Sequence, residues 1–91
     1  MDTVYKYEIP IVGEFTIDMP FLAQFLKVDF QNNTPVMWFL INTKHEKIRR
    51  TFKVYRTGHQ IDKDVVKNYL GTMQNKSGLV LHLFLGNQNE I

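Results

Sequence analysis

The six residues Val36-Met37-Trp38-Phe39-Leu40-Ile41 are apolar at both parities of a period-two pattern, while the other strand-like stretches alternate apolar with polar. A strand shows side chains on two faces, so this run has to be covered on both, by the rest of the chain or by a second copy. It reads as the central strand, with Trp38 and Phe39 most simply in the core. Phe21, Leu22 and Phe25, just after Pro20, are expected to help cover it. Six apolar residues are far short of the roughly 20 that a membrane-spanning helix needs. No membrane partner is expected.

The remaining apolar residues fall into short alternating segments. Val4 to Ile11 places Tyr5, Tyr7, Ile9 and Ile11 on one face and Lys6 and Glu8 on the other, the period of a half-buried strand. Val12-Gly13 turns it. Phe15, Ile17 and Met19 continue the period until Pro20, which lacks the amide donor a ladder needs. Leu26, Val28 and Phe30 form a third segment running into Asn32-Asn33, a pair suited to the positive φ of a tight hairpin. A turn near Thr43-Lys44-His45 precedes a basic strand with Ile48, Phe52 and Val54 on one side and Lys47, Arg49, Thr51, Lys53 and Tyr55 on the other.

Asp62 to Lys67 reads as a short helix capped by Asp62, of a turn or two only, serving as a lid or connector. Tyr69 to Gln74 is weakly strand-like, Asn75-Lys76-Ser77-Gly78 is a turn, and Leu79 to Leu85 is a last strand. Six to seven short strands with at most one short helix predict a mainly β fold, a small antiparallel β-sandwich or partly open β-barrel. The expected organisation is one compact domain over residues 1–86 and a frayed tail over 87–91. A domain of 91 residues sits at the low end of stability, about 5 to 9 kcal/mol, and homo-oligomerisation would help it.

Charge is unevenly placed. Residues 1–43 carry Lys6 and Lys27 against Asp2, Glu8, Glu14, Asp18 and Asp29, a net −3. From Lys44 to Arg56, six cations stand against Glu46 alone, a net +5, and the remainder sums to zero. A concentrated cationic strand face with Tyr55 among the cations has the ingredients of phosphate contact and ring stacking. Alternating cations also protect a solvated edge strand from aggregation, without any ligand. Thr57-Gly58-His59 is most simply a turn; in the functional reading its amides, Thr57 and His59 would hold an anion beside Arg56. The candidate binding residues are therefore Lys47, Arg49, Lys53, Tyr55, Arg56, Thr57 and His59.

The chemistry of turnover finds little support. His45, His59 and His82 show no paired spacing and there is no cysteine, so neither a metal site nor a disulfide framework is expected. No Ser-His-Asp or Cys-His set and no phosphate-cradling glycine loop appears, Ser77 sits in an ordinary turn, and Asp62 with Asp64 suits capping better than acid-base work. No cofactor is expected.

Tyr5-Lys6-Tyr7-Glu8-Ile9-Pro10, Met19-Pro20, Trp38, Arg50-Thr51-Phe52, Thr57-Gly58-His59, Tyr69-Leu70-Gly71-Thr72 and His82-Leu83-Phe84, in this order, resemble a widespread family of short, uncharacterised bacteriophage proteins. The resemblance covers nearly the whole chain. It implies a phage or prophage product working in the host cytoplasm, a setting that also suits the absence of a secretory pattern at Met1-Asp2-Thr3; it carries over no catalytic residues. The Lys44 to Arg56 block is more cationic than the pattern of that family. The expected function is non-catalytic binding of the host-takeover or anti-defence type, blocking a host protein or sequestering an anionic nucleotide through the basic strand. The alternatives are a nucleic-acid-binding module using the same face, or a minor virion or assembly component.

Overall fold

A computed structural model describes residues 1–86; the expected tail over 87–91 lies outside the described residues. Seven strands form: β1 (Asp2–Glu8), β2 (Gly13–Pro20), β3 (Gln24–Gln31), β4 (Thr34–Asn42), β5 (Lys47–Arg56), β6 (Tyr69–Gln74) and β7 (Val80–Leu85). They build two antiparallel sheets, one ordered β1-β4-β3 and the other β2-β5-β7-β6. The chain is a small β-sandwich, with no helix among the described residues.

Only two connections are hairpins. Asn32 and Asn33, at φ 51° and 67°, turn β3 into β4, and these left-handed angles match the twist of the flanking strands. Between β6 and β7, the Asn75 side-chain oxygen accepts from the amides of Ser77 (3.0 Å) and Leu79 (2.9 Å). Links β1 to β2, β2 to β3 and β4 to β5 each cross from one sheet to the other. Strands that are neighbours in sequence thus lie in opposite sheets more often than they pair.

Period two then decides which side chains are buried. Met37, Phe39 and Ile41 of β4 face Met19, Phe52, Val54, Leu81 and Leu83 across the interior. Phe39 receives Tyr7, Phe25 and Phe52 edge-on, with centroids 5.9, 5.6 and 6.0 Å away, and Phe15 stacks on Phe52 at 5.4 Å. Such pairs add about 0.5–1.5 kcal/mol each beyond area burial. The other parity of β4 shows how its second face is covered. Val36 is buried on the outside of its sheet, where Lys6, opposite Trp38, reaches Gln31, opposite Thr34, at 2.6 Å. The lysine stem passes over Val36, apolar shielding under a wet charge. Trp38 lies on this outer face, half-buried, so of the expected core pair only Phe39 is in the interior.

Two local expectations change. The β3–β4 register slips between Phe25 and Lys27, and the bulge sends Phe25 inward while Leu26 points out, 45% exposed. A bulge inserts one unpaired residue, so the alternation read from Leu26 breaks there. Phe21 and Leu22 cover nothing: they are 51% and 70% exposed. Leu22 sits at φ 65°, in a turn held by the Phe21 amide on the Glu46 carbonyl (2.8 Å) and His45 Nδ1 on the Phe21 carbonyl (2.8 Å).

The sheets approach most closely where β3 meets β6. A Cβ added to Gly71 would lie 2.8 Å from Val28 Cγ1, and Val28 is buried and stiff at χ1. Gly71→Ala is expected to destabilise the domain by about 1–3 kcal/mol through overpacking, read as a lower urea midpoint at unchanged slope. Gly71→Ala combined with Val28→Ala should recover part of the loss.

Candidate functional site

The seven candidate residues do not form one free cationic face. Lys47, Arg49, Lys53 and Tyr55 share the outer face of the β2-containing sheet, but Arg56 has the opposite parity, beside Val54 and Phe52 on the inward side, and is exposed only because the sandwich ends there. Lys47 and Arg56 stand at opposite ends of a ten-residue strand, about 30 Å apart at the usual rise.

The middle of the row is neutralised. β2 runs beside β5 with Glu14 opposite Lys53 and Asp18 opposite Arg49. Arg49 Nε lies 3.7 Å from Asp18, and Lys53 Nζ lies 3.7 Å from Glu14 and 2.5 Å from Asp62. The Asp62 hydrogen bond is the main cause that raises the Lys53 pKa above the ordinary lysine value. Tyr55 is equally committed: its ring meets Phe84 edge-on at 5.6 Å and its hydroxyl is buried with no hydrogen-bond partner among the described residues. The ring is half-buried, held against Phe84 rather than standing free among the cations.

The segment expected to open a helix at Asp62 is instead a pair of turns, with the Val65 amide on the Asp62 carbonyl (3.1 Å) and the Asn68 amide on the Val65 carbonyl (2.9 Å). The Asp62 side chain bonds Lys53 rather than capping its own turn, and the Leu85 amide donates to the Asn68 carbonyl (2.9 Å). Val65 is fully buried. The connector is thus latched onto the sheet by one ion pair, one backbone hydrogen bond and the buried Val65 side chain.

At the Arg56 end, Gly58 takes φ 93° and the His59 amide donates to the Arg56 carbonyl (3.1 Å), closing a turn. Its amide is used up by the turn rather than aimed at an anion. Thr57 Oγ1 shares a hydrogen bond with His82 Nε2 (2.8 Å), His82 Nδ1 with Thr72 Oγ1 (3.0 Å), and Thr72 Oγ1 with the Tyr69 hydroxyl (2.5 Å). Both nitrogens of His82 are occupied. The chain ties β5, β7 and β6 together, and nothing in the spacing of His82 announced it because its partners come from two other segments, the end of β5 and β6.

Arg50, inside the basic block, has even parity and turns inward. Its guanidinium donates to the Ala23 carbonyl (2.9 Å) and lies 5.5 and 5.8 Å from the Phe39 and Phe52 rings. Burial lowers its pKa. It fills the core and carries no ligand chemistry.

The concavity that does combine a free cation with aromatic walls lies at the other end of β5. Tyr5, Tyr7, Asp18, Pro20, Ile41, Thr43 and Lys47 line a cleft of about 270 Å³. The Tyr5 and Tyr7 ring centroids are 6.3 Å apart, and burial, then Tyr5, raises the Tyr7 pKa, so the phenol keeps its proton. Lys47 has no ion-pair partner among the described residues, and the Asp18 charge is already engaged by Arg49. The larger hollow of about 410 Å³ between the two hairpin turns is lined by Asp29, Asn32, Asn33, Gln74 and Lys76 beside Asn75, whose amide already serves its own turn. Sequence reasoning named Lys47 and missed Tyr5, Tyr7, Asp18 and Thr43, because the cleft joins four strands from both sheets. Among the described residues no three His, Cys, Asp or Glu side chains converge as metal ligands do.

The fold and site define a small β-sandwich with a cleft at its open corner. The chain belongs to a family described as a domain of unknown function, DUF7352, whose model matches residues 1–91. No curated protein and no solved structure matches it.

The latch can be tested directly. Lys53→Met or Asp62→Asn should speed amide exchange at Val65 and Asn68 while costing less than about 1 kcal/mol of global stability, because both carboxylates are largely exposed. The Lys53 pKa is raised, so its contribution is complete below the ordinary lysine value of about 10.4 and is lost as pH rises through the folded value. Val65 methyl resonances should stay put through neutral pH and move only above that range.

Proposed function

We propose that this chain is a non-catalytic binding protein that takes up an anionic nucleotide in the Lys47 cleft. The observation that supports this is the joining of two tyrosine rings and an unpaired ammonium in one concavity. A nucleobase lies against the Tyr5 and Tyr7 wall, the Lys47 ammonium meets the phosphate, and the Thr43 hydroxyl, in the same lining, is placed for the sugar. The volume suits one nucleotide, at the lower bound of ligand pockets, about 300 Å³. Working as a phage product of the host-takeover or anti-defence type in the host cytoplasm, such a protein sequesters a nucleotide signal. The cleft favours this form over the blocking of a host protein. A nucleic-acid strip along β5 is disfavoured, since Arg49 and Lys53 already face acids and the Tyr55 ring is half-buried against Phe84.

Isothermal titration calorimetry with a panel of nucleoside mono- and diphosphates, nucleosides and inorganic phosphate tests the reading. A nucleotide should bind more tightly than its nucleoside or phosphate alone. Lys47→Ala and Tyr5→Ala should each weaken it about tenfold or more, as expected for a charge-assisted hydrogen bond of about 1.5–3 kcal/mol and a stacked base of about 1–3 kcal/mol. Arg56→Ala should leave affinity within about twofold, since that residue stands about 30 Å away. Absence of binding across the panel, or equal loss in Arg56→Ala, overturns the cleft.

A further inference from the structure

The four sheet edges are unequal. β3 carries the bulge at Phe25 and Lys27 and leans on β6, whose own pairing with β7 shifts between Tyr69 and Gly71. β2 is straight but presents Glu14 and Asp18 with no cation of its own and ends in Pro20. β1 alone is straight, free of proline and of mixed charge, in unbroken register with β4 from Asp2 opposite Asn42 to Glu8 opposite Val36. Its other edge pairs with no strand among the described residues. Such an edge is a template for another strand unless something blocks it.

The residues along β1 say which strand. Side chains directly opposite in an antiparallel pair share a face, so two copies related by a two-fold axis must place an odd residue on odd, or even on even. With Val4 on the axis, Asp2 of each copy faces Lys6 of the other, Thr3 faces Tyr5, and Val4 faces Val4. Moving the axis to Tyr5 sets Asp2 against Glu8 twice; moving it to Lys6 sets lysine against lysine. An axis at Tyr7 overlaps only three residues, and an axis at Thr3 loses the lysine. Charge and overlap therefore select one register.

We infer that two copies of the chain pair through their β1 edges, antiparallel about Val4, joining two three-stranded sheets into one of six strands. Val4 and Tyr5, 53% and 48% exposed in the single chain, come to lie in the middle of a sheet. On the outer face Val4 meets its copy beside Leu40, its opposite number on β4. Lys6 exchanges a neutral acceptor, Gln31, for a carboxylate, the stronger partner. On the inner face Thr3 of the second copy comes beside Tyr5, at the cleft mouth, so two clefts flank the axis. The pairing does not depend on what the cleft binds.

Sedimentation velocity of the full chain, from low to high micromolar concentration, should give twice the chain mass. Lys6→Asp, which sets acid against acid, should shift the midpoint for association at least tenfold upward. The double reversal Asp2→Lys with Lys6→Asp should return it to within about threefold of the parent. Gln31→Ala, which removes only the intrachain bond of Lys6, should leave the dimer intact. The chain has no cysteine, so Val4→Cys should link copies under mild oxidation, while Glu8→Cys, off the end of the overlap, should not. Circular dichroism melting of each variant identifies any that fail to fold, and the Val4→Cys result stands apart from the charge series. A monomer at all concentrations overturns the pairing. So does a dimer that ignores the charge reversals and does not link at Val4, which would place the contact on the Trp38 face instead.

Discussion

Phe39 against Phe52 is the contact on which this fold depends. Each residue is fully buried in the middle of its own sheet, and the rings meet edge-on at 6.0 Å as the joint between the sheets. Tyr7 and Phe25 then pack on Phe39, and Phe15 on Phe52. Arg50 seals the cluster, its guanidinium against both rings and its charge answered by the Ala23 carbonyl. A cation drawn partly out of water needs such an answer, because leaving it unpaired costs more than the attraction to a ring returns. With Phe52 and Arg50 fixed inward, β5 has no choice about Lys47, Arg49, Lys53 and Tyr55, which must face out.

Where those cations meet acids is decided by strand pairing, not by β5 itself. Register aligns Glu14 and Asp18 of β2 with Lys53 and Arg49, and the connector from Thr57 to Asn68 adds Asp62. A strand that reads as +5 with its neighbours in sequence is mostly balanced by its neighbours in space. Exposed pairs of this kind add little stability, about 0–1 kcal/mol each. Their larger effect is to remove the centre of the strand from ligand chemistry and leave Lys47 and Arg56 as separate ends.

How much of this could be read beforehand follows the same division. Everything resting on period two within a strand was legible: the central place of β4, the two faces of β5, the Asn32-Asn33 turn. What needs a partner strand was not. The bulge at Leu26 is invisible because Phe25 and Leu26 are both apolar and either parity reads well. The helix at Asp62 was plausible from capping alone, yet Lys53 competes for the same carboxylate. The seven-residue site was partly legible, since residue type marked Lys47. Tyr5 and Tyr7 looked like ordinary core positions, and only the meeting of two sheets shows that they line a cleft.

The cleft and the free edge have one origin. The sheet of three strands is laid on a sheet of four so that β3 reaches β6 and Phe39 of β4 sits over Phe52 of β5. Register makes Thr3 and Tyr5 inward-facing, opposite Ile41 and Phe39, yet both are exposed, so the second sheet does not extend beneath that part of β1. The close approach of Gly71 to Val28 pulls the sandwich shut on the β3 side. With a core this small, closing one side leaves the other open, and β1 overhangs there with Tyr5 uncovered. A residue with a side chain at position 71 would push the β3 side apart and alter the offset that creates the cleft. A glycine where β3 meets β6 thereby bears on the width of a site on the far side of the sandwich.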